Sequence, residues 1–209
     1  MSKEEIDLFW KHEFQKALEY VSPGFTIDER NKALIAELYT WVWSRMGRSN
    51  SGMFDPQKGL LLWGNIGTGK TTLLKGIQRY MAVINQLVYG CNNKDICFEL
   101  RSASEISLRY AKDGLSALER WVDKDTCNHL IIDEIGREEV AKNFGTTCNT
   151  IQMLLQLRYE LRQDCTTMGT TNINMQSSQF SELYGDYVTD RIKEMFNIIE
   201  ISGSSRRTA

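Results

Sequence analysis

The residues most plainly arranged for chemistry are Gly64-Asn-Ile-Gly-Thr-Gly-Lys-Thr71. They match G-x-x-x-x-G-K-[ST], a glycine-rich turn that follows a strand and opens a helix. The apolar run Leu60–Trp63 before it and the amphipathic TTLLKGIQRY after it supply that context. Glycines let the backbone curl so that successive N–H groups converge, and the helix amino terminus adds its dipole at the same point. The implied chemistry is capture of a polyphosphate by Gly64, Asn65, Ile66, Gly67, Thr68, Gly69, Lys70, Thr71 and Thr72. In that arrangement Lys70 bridges β- and γ-phosphates and the Thr71 hydroxyl ligates Mg²⁺.

A second group lies about 60 residues on, in His129-Leu-Ile-Ile-Asp-Glu-Ile-Gly136. An apolar strand that ends in two carboxylates puts them at the carboxyl edge of a sheet, where ligands of open α/β sheets bind. Asp133 is then the Mg²⁺-side carboxylate and Glu134 the base that polarises an attacking water. The strand Cys165–Thr171 brings Asn172 to the same edge, either to orient that water or to turn the chain into Asn-Ile-Asn-Met. Arg191, in Tyr187-Val-Thr-Asp-Arg-Ile, is either an arginine offered to a neighbouring subunit's γ-phosphate or an exposed helix residue paired with Asp190 or Glu194.

These groups need a scaffold that sets several loops along one line. From residue 58, short apolar runs (Leu60–Trp63, Ile96–Leu100, Leu130–Asp133, Cys165–Thr171, Ile198–Ile201) alternate with helical patterns near 69–87, 103–122, 146–162 and 187–195. That alternation predicts an α/β fold with a parallel sheet and helices on both faces. Upstream, Ile6, Trp10, Phe14, Ala17 and Val21 predict a helix over 4–21, and Ser22-Pro-Gly24 a turn. The capping-box pattern Thr26-Ile-Asp-Glu29 predicts a second helix over about 27–46.

Composition agrees with one globular chain: 209 residues, 42% hydrophobic, 25% charged and a net charge of −2. The balance excludes a uniformly basic nucleic-acid glove. Five scattered cysteines without a CxxC pair, and only two histidines, argue against a zinc site and for a reducing compartment. Charges stand where a secretory signal needs an apolar run, and no apolar stretch is long enough to span a bilayer. The expected localisation is cytoplasmic, with no membrane partner.

Taken together in order and spacing, these segments resemble the AAA+ ATPases of the bacterial replicative-helicase loader family (DnaC-like) and the similar IstB-type transposition helpers. The resemblance runs from about residue 25 to 207 and is carried by FTIDERNKAL, LLLWGNIGTGKTTL, FELRSASEI, HLIIDEIG, LLQLRYELR, TTMGTTN, YGDYVTDRIKEM and the terminal GSSRR. It implies a P-loop core with five parallel strands in the order 5-1-4-3-2, ATP and Mg²⁺ as cofactors, and assembly with ATP into a ring or helical oligomer. It assigns Lys70 and Thr71 to Walker A, Asp133 and Glu134 to Walker B, Asn172 to sensor 1, Arg191 to the arginine finger, and Arg206 to a late arginine. It implies single-stranded DNA and a replicative helicase, or a transposase, as partners. The chain stops soon after the last expected strand, so no C-terminal helical lid is expected, and turnover by the lone subunit should be slow. Residues 1–24 read as a short helical extension and 25–209 as the ATPase domain.

Arg109, Tyr110 and Lys112 combine charge with an aromatic ring, as single-strand binding needs, or else form a solvated helix whose Tyr covers the core. Ile6, Trp10 and Phe14 either enter a partner's groove or pack internally. Four functions compete: helicase loader, transposition helper, nucleotide-gated scaffold with little turnover, and small-molecule kinase. Glu134 speaks against the scaffold and the Asn-ended strand against the kinase. No guanine-reading NKxD motif is present.

Overall fold

The computed structural model describes residues 2–49, 52–125, 128–143, 146–203 and 205. The chain divides into two compact units, residues 1–57 with 71–97, and residues 58–70 with 98–209.

The first unit holds helices α1 (Lys3–Val21) and α2 (Lys32–Arg45) and all but the first residue of α3 (Lys70–Tyr89). A capping box opens α1: the Ser2 Oγ accepts from the Glu5 N–H, and the Glu5 carboxylate accepts from the Ser2 N–H. Two otherwise unpaired helix donors are thereby satisfied. Phe14, Ala17 and Leu18 form its buried stripe. A Cβ on Gly76 of α3 would collide with the Leu18 side chain, so α1 and α3 pack closely only because that position is glycine. Beside this contact, Phe14 lies 4.9 Å from Tyr80 and Trp10 lies 5.3 Å from Trp43, ring centre to ring centre. The Trp43 indole N–H donates to the Tyr80 hydroxyl at 3.1 Å. Such ring pairs add about 0.5–1.5 kcal/mol each beyond the area they bury.

The capping box expected at Thr26–Glu29 does not form, and α2 starts at Lys32. Asp28 instead accepts from the Arg30 and Asn31 N–H groups, while Asn31 accepts from the Asp28 N–H and donates to the Thr26 carbonyl. These local side-chain bonds compete with the first helical turn and win.

The second unit contains five parallel strands, β1 (Gly59–Trp63), β2 (Phe98–Ser102), β3 (His129–Ile135), and, after a short antiparallel hairpin β4 (Ala141–Asn143) and β5 (Thr146–Cys148), β6 (Thr167–Thr171) and β7 (Phe196–Glu200). The sheet order is β2-β3-β6-β1-β7, the order expected from the resemblance read from its other end. It is flanked by α4 (Ala103–Asp113), α5 (Glu119–Val122), α6 (Thr150–Glu160) and α7 (Gln179–Met195).

Three local features differ from the sequence expectation. The helix expected over 103–122 breaks at Gly114, whose φ of +63° ends α4. The helix expected from 146 begins at Thr150, where Asn149 caps the Gln152 N–H, and residues 146–148 are strand. The last helix begins eight residues earlier than expected and kinks at Gly185. The core of this unit joins Leu61, Leu130 and Ile132 of the sheet to Ile106, Trp121, Leu154, Phe180 and Ile192 of the helices. Arg158 is fully buried and donates to the Thr167 hydroxyl and to the carbonyls of Trp121, Asn128 and Thr166, tying α6 to the start of β6. Among the described residues no helix is long and apolar enough to cross a membrane.

Candidate nucleotide site

Strand β1 leads directly into the loop Gly64–Gly69, and every residue of that strand is buried, so the loop leaves a fixed base. Gly64, Gly67 and Gly69 have φ of +142°, +83° and +95°. Side chains rarely adopt these angles, which is why the curl requires glycine. A Cβ at Gly69 would meet nothing within 4 Å, so the backbone there faces open space. Lys70 is 7% exposed, and its Nζ donates to the carbonyls of Gly64 at 2.8 Å and Asn65 at 2.7 Å. The Thr68 hydroxyl donates to the Asn65 carbonyl at 3.0 Å, while Asn65 and Ile66 are exposed at the tip. A cation within a curl of glycine backbone is a fit for phosphate. Thr71 and Thr72 continue α3 in the first unit.

The chain beyond β7 packs on this loop. The Ile201 N–H donates to the Trp63 carbonyl at 2.7 Å, and a Cβ on Gly64 would strike the Ile201 carbonyl. A Cβ on Gly67 would strike the Ser205 side chain. These two glycines are therefore required by neighbours as well as by dihedral angle.

Asp133 and Glu134 stand where β3 and β6 slip register, between the pairs Ile132↔Gly169 and Ile135↔Thr171. Glu134 has φ +60°, a left-handed conformation that costs about 1–2 kcal/mol for a residue with a side chain. The Thr170 hydroxyl donates to Asp133 Oδ1 at 2.6 Å and accepts the Glu134 N–H at 2.9 Å. Arg137 Nη1 lies 3.5 Å from Glu134 Oε1. Farther along the same loop, Glu138 accepts from the Gly136 N–H at 2.8 Å and from the Tyr184 hydroxyl at 2.5 Å. Burial, and then the Glu138 charge, push the Tyr184 phenol far above its ordinary value, so it stays protonated and keeps donating. The loop after β3 is thus tied to α7.

Asn172 follows Thr171, which pairs with Trp63, so it lies at the edge beside the start of the phosphate loop. Its side chain is half-buried and takes no hydrogen-bond partner among the described residues. The turn that follows is made by its neighbours: the Thr171 hydroxyl accepts the Ile173 N–H, and Asn174 accepts the Gln176 N–H.

Arg191 is not brought to this edge. It stands five residues before β7, whose first residue Phe196 pairs with Gly59, the first residue of β1. The loop leaves β1 at the other end, after four steps or about 13 Å of strand. Arg191 lies over the Tyr187 ring at 3.4 Å and the Tyr159 ring at 4.3 Å, with Glu160 at 3.7 Å. The expected pairing with Asp190 or Glu194 is not the arrangement found. Asp190 faces Lys193 at 3.9 Å, and Glu194 accepts from the Tyr159 hydroxyl at 2.8 Å.

The group Arg109, Tyr110 and Lys112 does not form one surface. Arg109 is engaged by Glu105 at 2.9 Å, Lys112 is exposed, and Tyr110 is a core residue at 8% exposure. Tyr110 offers no ring face for stacking, because its position repeats the buried stripe of Ala103, Ile106 and Ser107. Arg206 lies outside the described residues. Thr170, which sequence reasoning passed over, had one signal: polar residues in a strand too short and too buried to need them for solubility. Among the described residues no three His, Cys, Asp or Glu side chains cluster as a self-sufficient metal site. A Mg²⁺ ion that shares its ligands with phosphates requires only one or two protein groups, which Asp133 fits.

The sequence profile of the ATPase family associated with various cellular activities (AAA) matches residues 60–194. The match spans the phosphate loop, both carboxylates, Asn172 and Arg191, and the chain belongs to this family. The family is one of ATPases, which implies nucleotide binding at the family level. Among solved structures, the fold is similar to that of the DnaC helicase loader, with a TM-score of 0.56, 16% identity, and coverage of 87% of this chain and 96% of that one. It is also similar to a candidate primosome component from Streptococcus pyogenes serotype M3, with a TM-score of 0.55, 22% identity, and coverage of 86% and 85%. At these identities the likeness is one of fold. No curated protein sequence matches this chain significantly.

Proposed function

We propose that this chain is an ATP-dependent helicase loader of DNA replication, which assembles with ATP and Mg²⁺ and releases its cargo on hydrolysis. The observation that carries the reading is the carboxyl edge, where the Lys70 loop, Asp133, Glu134 and Asn172 converge on adjoining strand ends. Lys70 leaves the carbonyls of Gly64 and Asn65 to neutralise β- and γ-phosphate oxygens. Thr71 and Asp133 would hold Mg²⁺, which supplies charge neutralisation on those oxygens. Glu134 takes the proton of the attacking water, and Asn172, whose side chain has no hydrogen-bond partner among the described residues, orients that water. Arg191 stands toward the end of β1 opposite its own loop, which supports a role at a neighbour's γ-phosphate in a ring or helical oligomer.

Residues 1–24 act in this reading as the helicase-binding extension ahead of the ATPase domain, 25–209. Trp10 and Phe14 are occupied inside the first unit, so the contact falls to Ile6, Leu8 and Phe9, which are exposed on α1. Single-stranded DNA contacts on α4 reduce to Arg109 and Lys112, and their binding weakens steeply with salt.

The test is to mix the purified protein with the replicative helicase of its host, ATP and Mg²⁺, and weigh the product by light scattering on a sizing column. A co-complex that forms with ATP and dissolves with single-stranded DNA and hydrolysis is expected. ATP-driven self-assembly that ignores the helicase and binds duplex DNA would instead identify a transposition helper.

A further inference from the structure

We propose that Thr170 is the positioning residue for both carboxylates of the site, acting through one hydroxyl. The inference rests on the reading of this edge as an ATP- and Mg²⁺-binding site. Thr170 is 2% exposed and sits on β6 opposite the register slip that contains Asp133 and Glu134. Its hydroxyl has one proton to give and lone pairs to accept, and both capacities are used: the proton goes to Asp133 Oδ1, and a lone pair takes the Glu134 N–H. The 2.6 Å separation is that of a charge-assisted O–H···O⁻ bond.

The two bonds have different consequences. The bond to Asp133 fixes the rotation of the carboxylate that faces the metal. The bond to Glu134 holds a backbone N–H in a left-handed conformation and so determines which way the base leaves the strand. No other hydroxyl of β6 is placed to substitute. That of Thr171 donates to the Ile135 carbonyl and accepts the Ile173 N–H, and that of Thr167 accepts from Arg158. An aliphatic side chain of the same size would fill the space and leave both bonds unmade.

The experiment compares wild type, Thr170→Val and Thr170→Ser. A fluorescent non-hydrolysable ATP analogue is titrated with and without Mg²⁺, and turnover is measured under assembly conditions. Thr170→Val should bind the analogue without Mg²⁺ as wild type does. The tightening brought by Mg²⁺ should shrink about tenfold and kcat should fall about tenfold to a hundredfold, the range for losing a hydrogen-bond partner of a metal ligand. Thr170→Ser should restore both to within about threefold of wild type. Wild-type Mg²⁺ dependence and turnover in Thr170→Val would overturn the inference, as would a Thr170→Ser variant as impaired as Thr170→Val. A wild-type protein that binds the analogue identically with and without Mg²⁺ would overturn the site reading itself, and the inference with it.

Discussion

Along the carboxyl edge of the sheet, Asp133 and Glu134 are held by hydrogen bonds from one neighbouring strand, whereas on α7 the Arg191 guanidinium is held between ring faces of Tyr159 and Tyr187. Hydrogen bonds fix distance and direction together, while a ring face attracts a cation over a broad area and tolerates sliding. The first arrangement suits groups that act on a phosphate bound by the same chain. The second suits a cation that must be kept extended but adjustable until another surface arrives. The two lie toward opposite ends of β1, so a single chain holds both without bringing them together.

Three experiments break or sharpen that contrast. The largest effect belongs to Arg191→Ala, which should lower assembled ATP turnover by about a thousandfold, as for arginines that meet the transition-state charge. Mixing Arg191→Ala with Glu134→Gln should recover activity, because one variant supplies an intact base and the other an intact arginine. A mixture as inactive as its components would show that Arg191 serves its own site or none. Next, Glu134→Gln alone should reduce phosphate release by about a hundredfold or more, with nucleotide affinity unchanged. An equal loss of affinity would make Glu134 a binding group. The smallest effect is expected from Tyr187→Leu. Losing one ring face, worth about 0.5–2 kcal/mol, should cost assembled turnover about threefold to tenfold, and Tyr187→Phe should cost nothing. If both variants behave as wild type, ring stacking does not hold Arg191 in its working position.

The same contrast explains what could be read from the chain. The phosphate loop was legible because its eight residues are contiguous and each type has a local reason to be there. The carboxylate-ended strand was legible from its apolar run. Arg191 was singled out by the resemblance, but its ring partners were not: Tyr159 lies on another helix, and periodicity says nothing about which faces meet. Thr170 carried a polar signal within its strand but none that named its partners, which are 36 and 37 residues away in sequence. Tyr110 stood between two readings, a stacking ring or a ring that covers the core, and its spacing from Ile106 on the buried stripe is what the structure bears out. At α2 the capping pattern was present, yet Asp28 and Asn31 satisfied each other first.

The packing of Ile201 and Ser205 onto Gly64 and Gly67 has a practical side. Anything joined to the chain past β7, whether an affinity handle, a fluorophore or a surface tether, would act on residues that pack against the Gly64–Gly69 loop. Affinities measured on carboxyl-tagged protein would carry the mark of the tag. By the same lever, a small environment-sensitive dye at Ser205 would report phosphate binding at that loop in its emission.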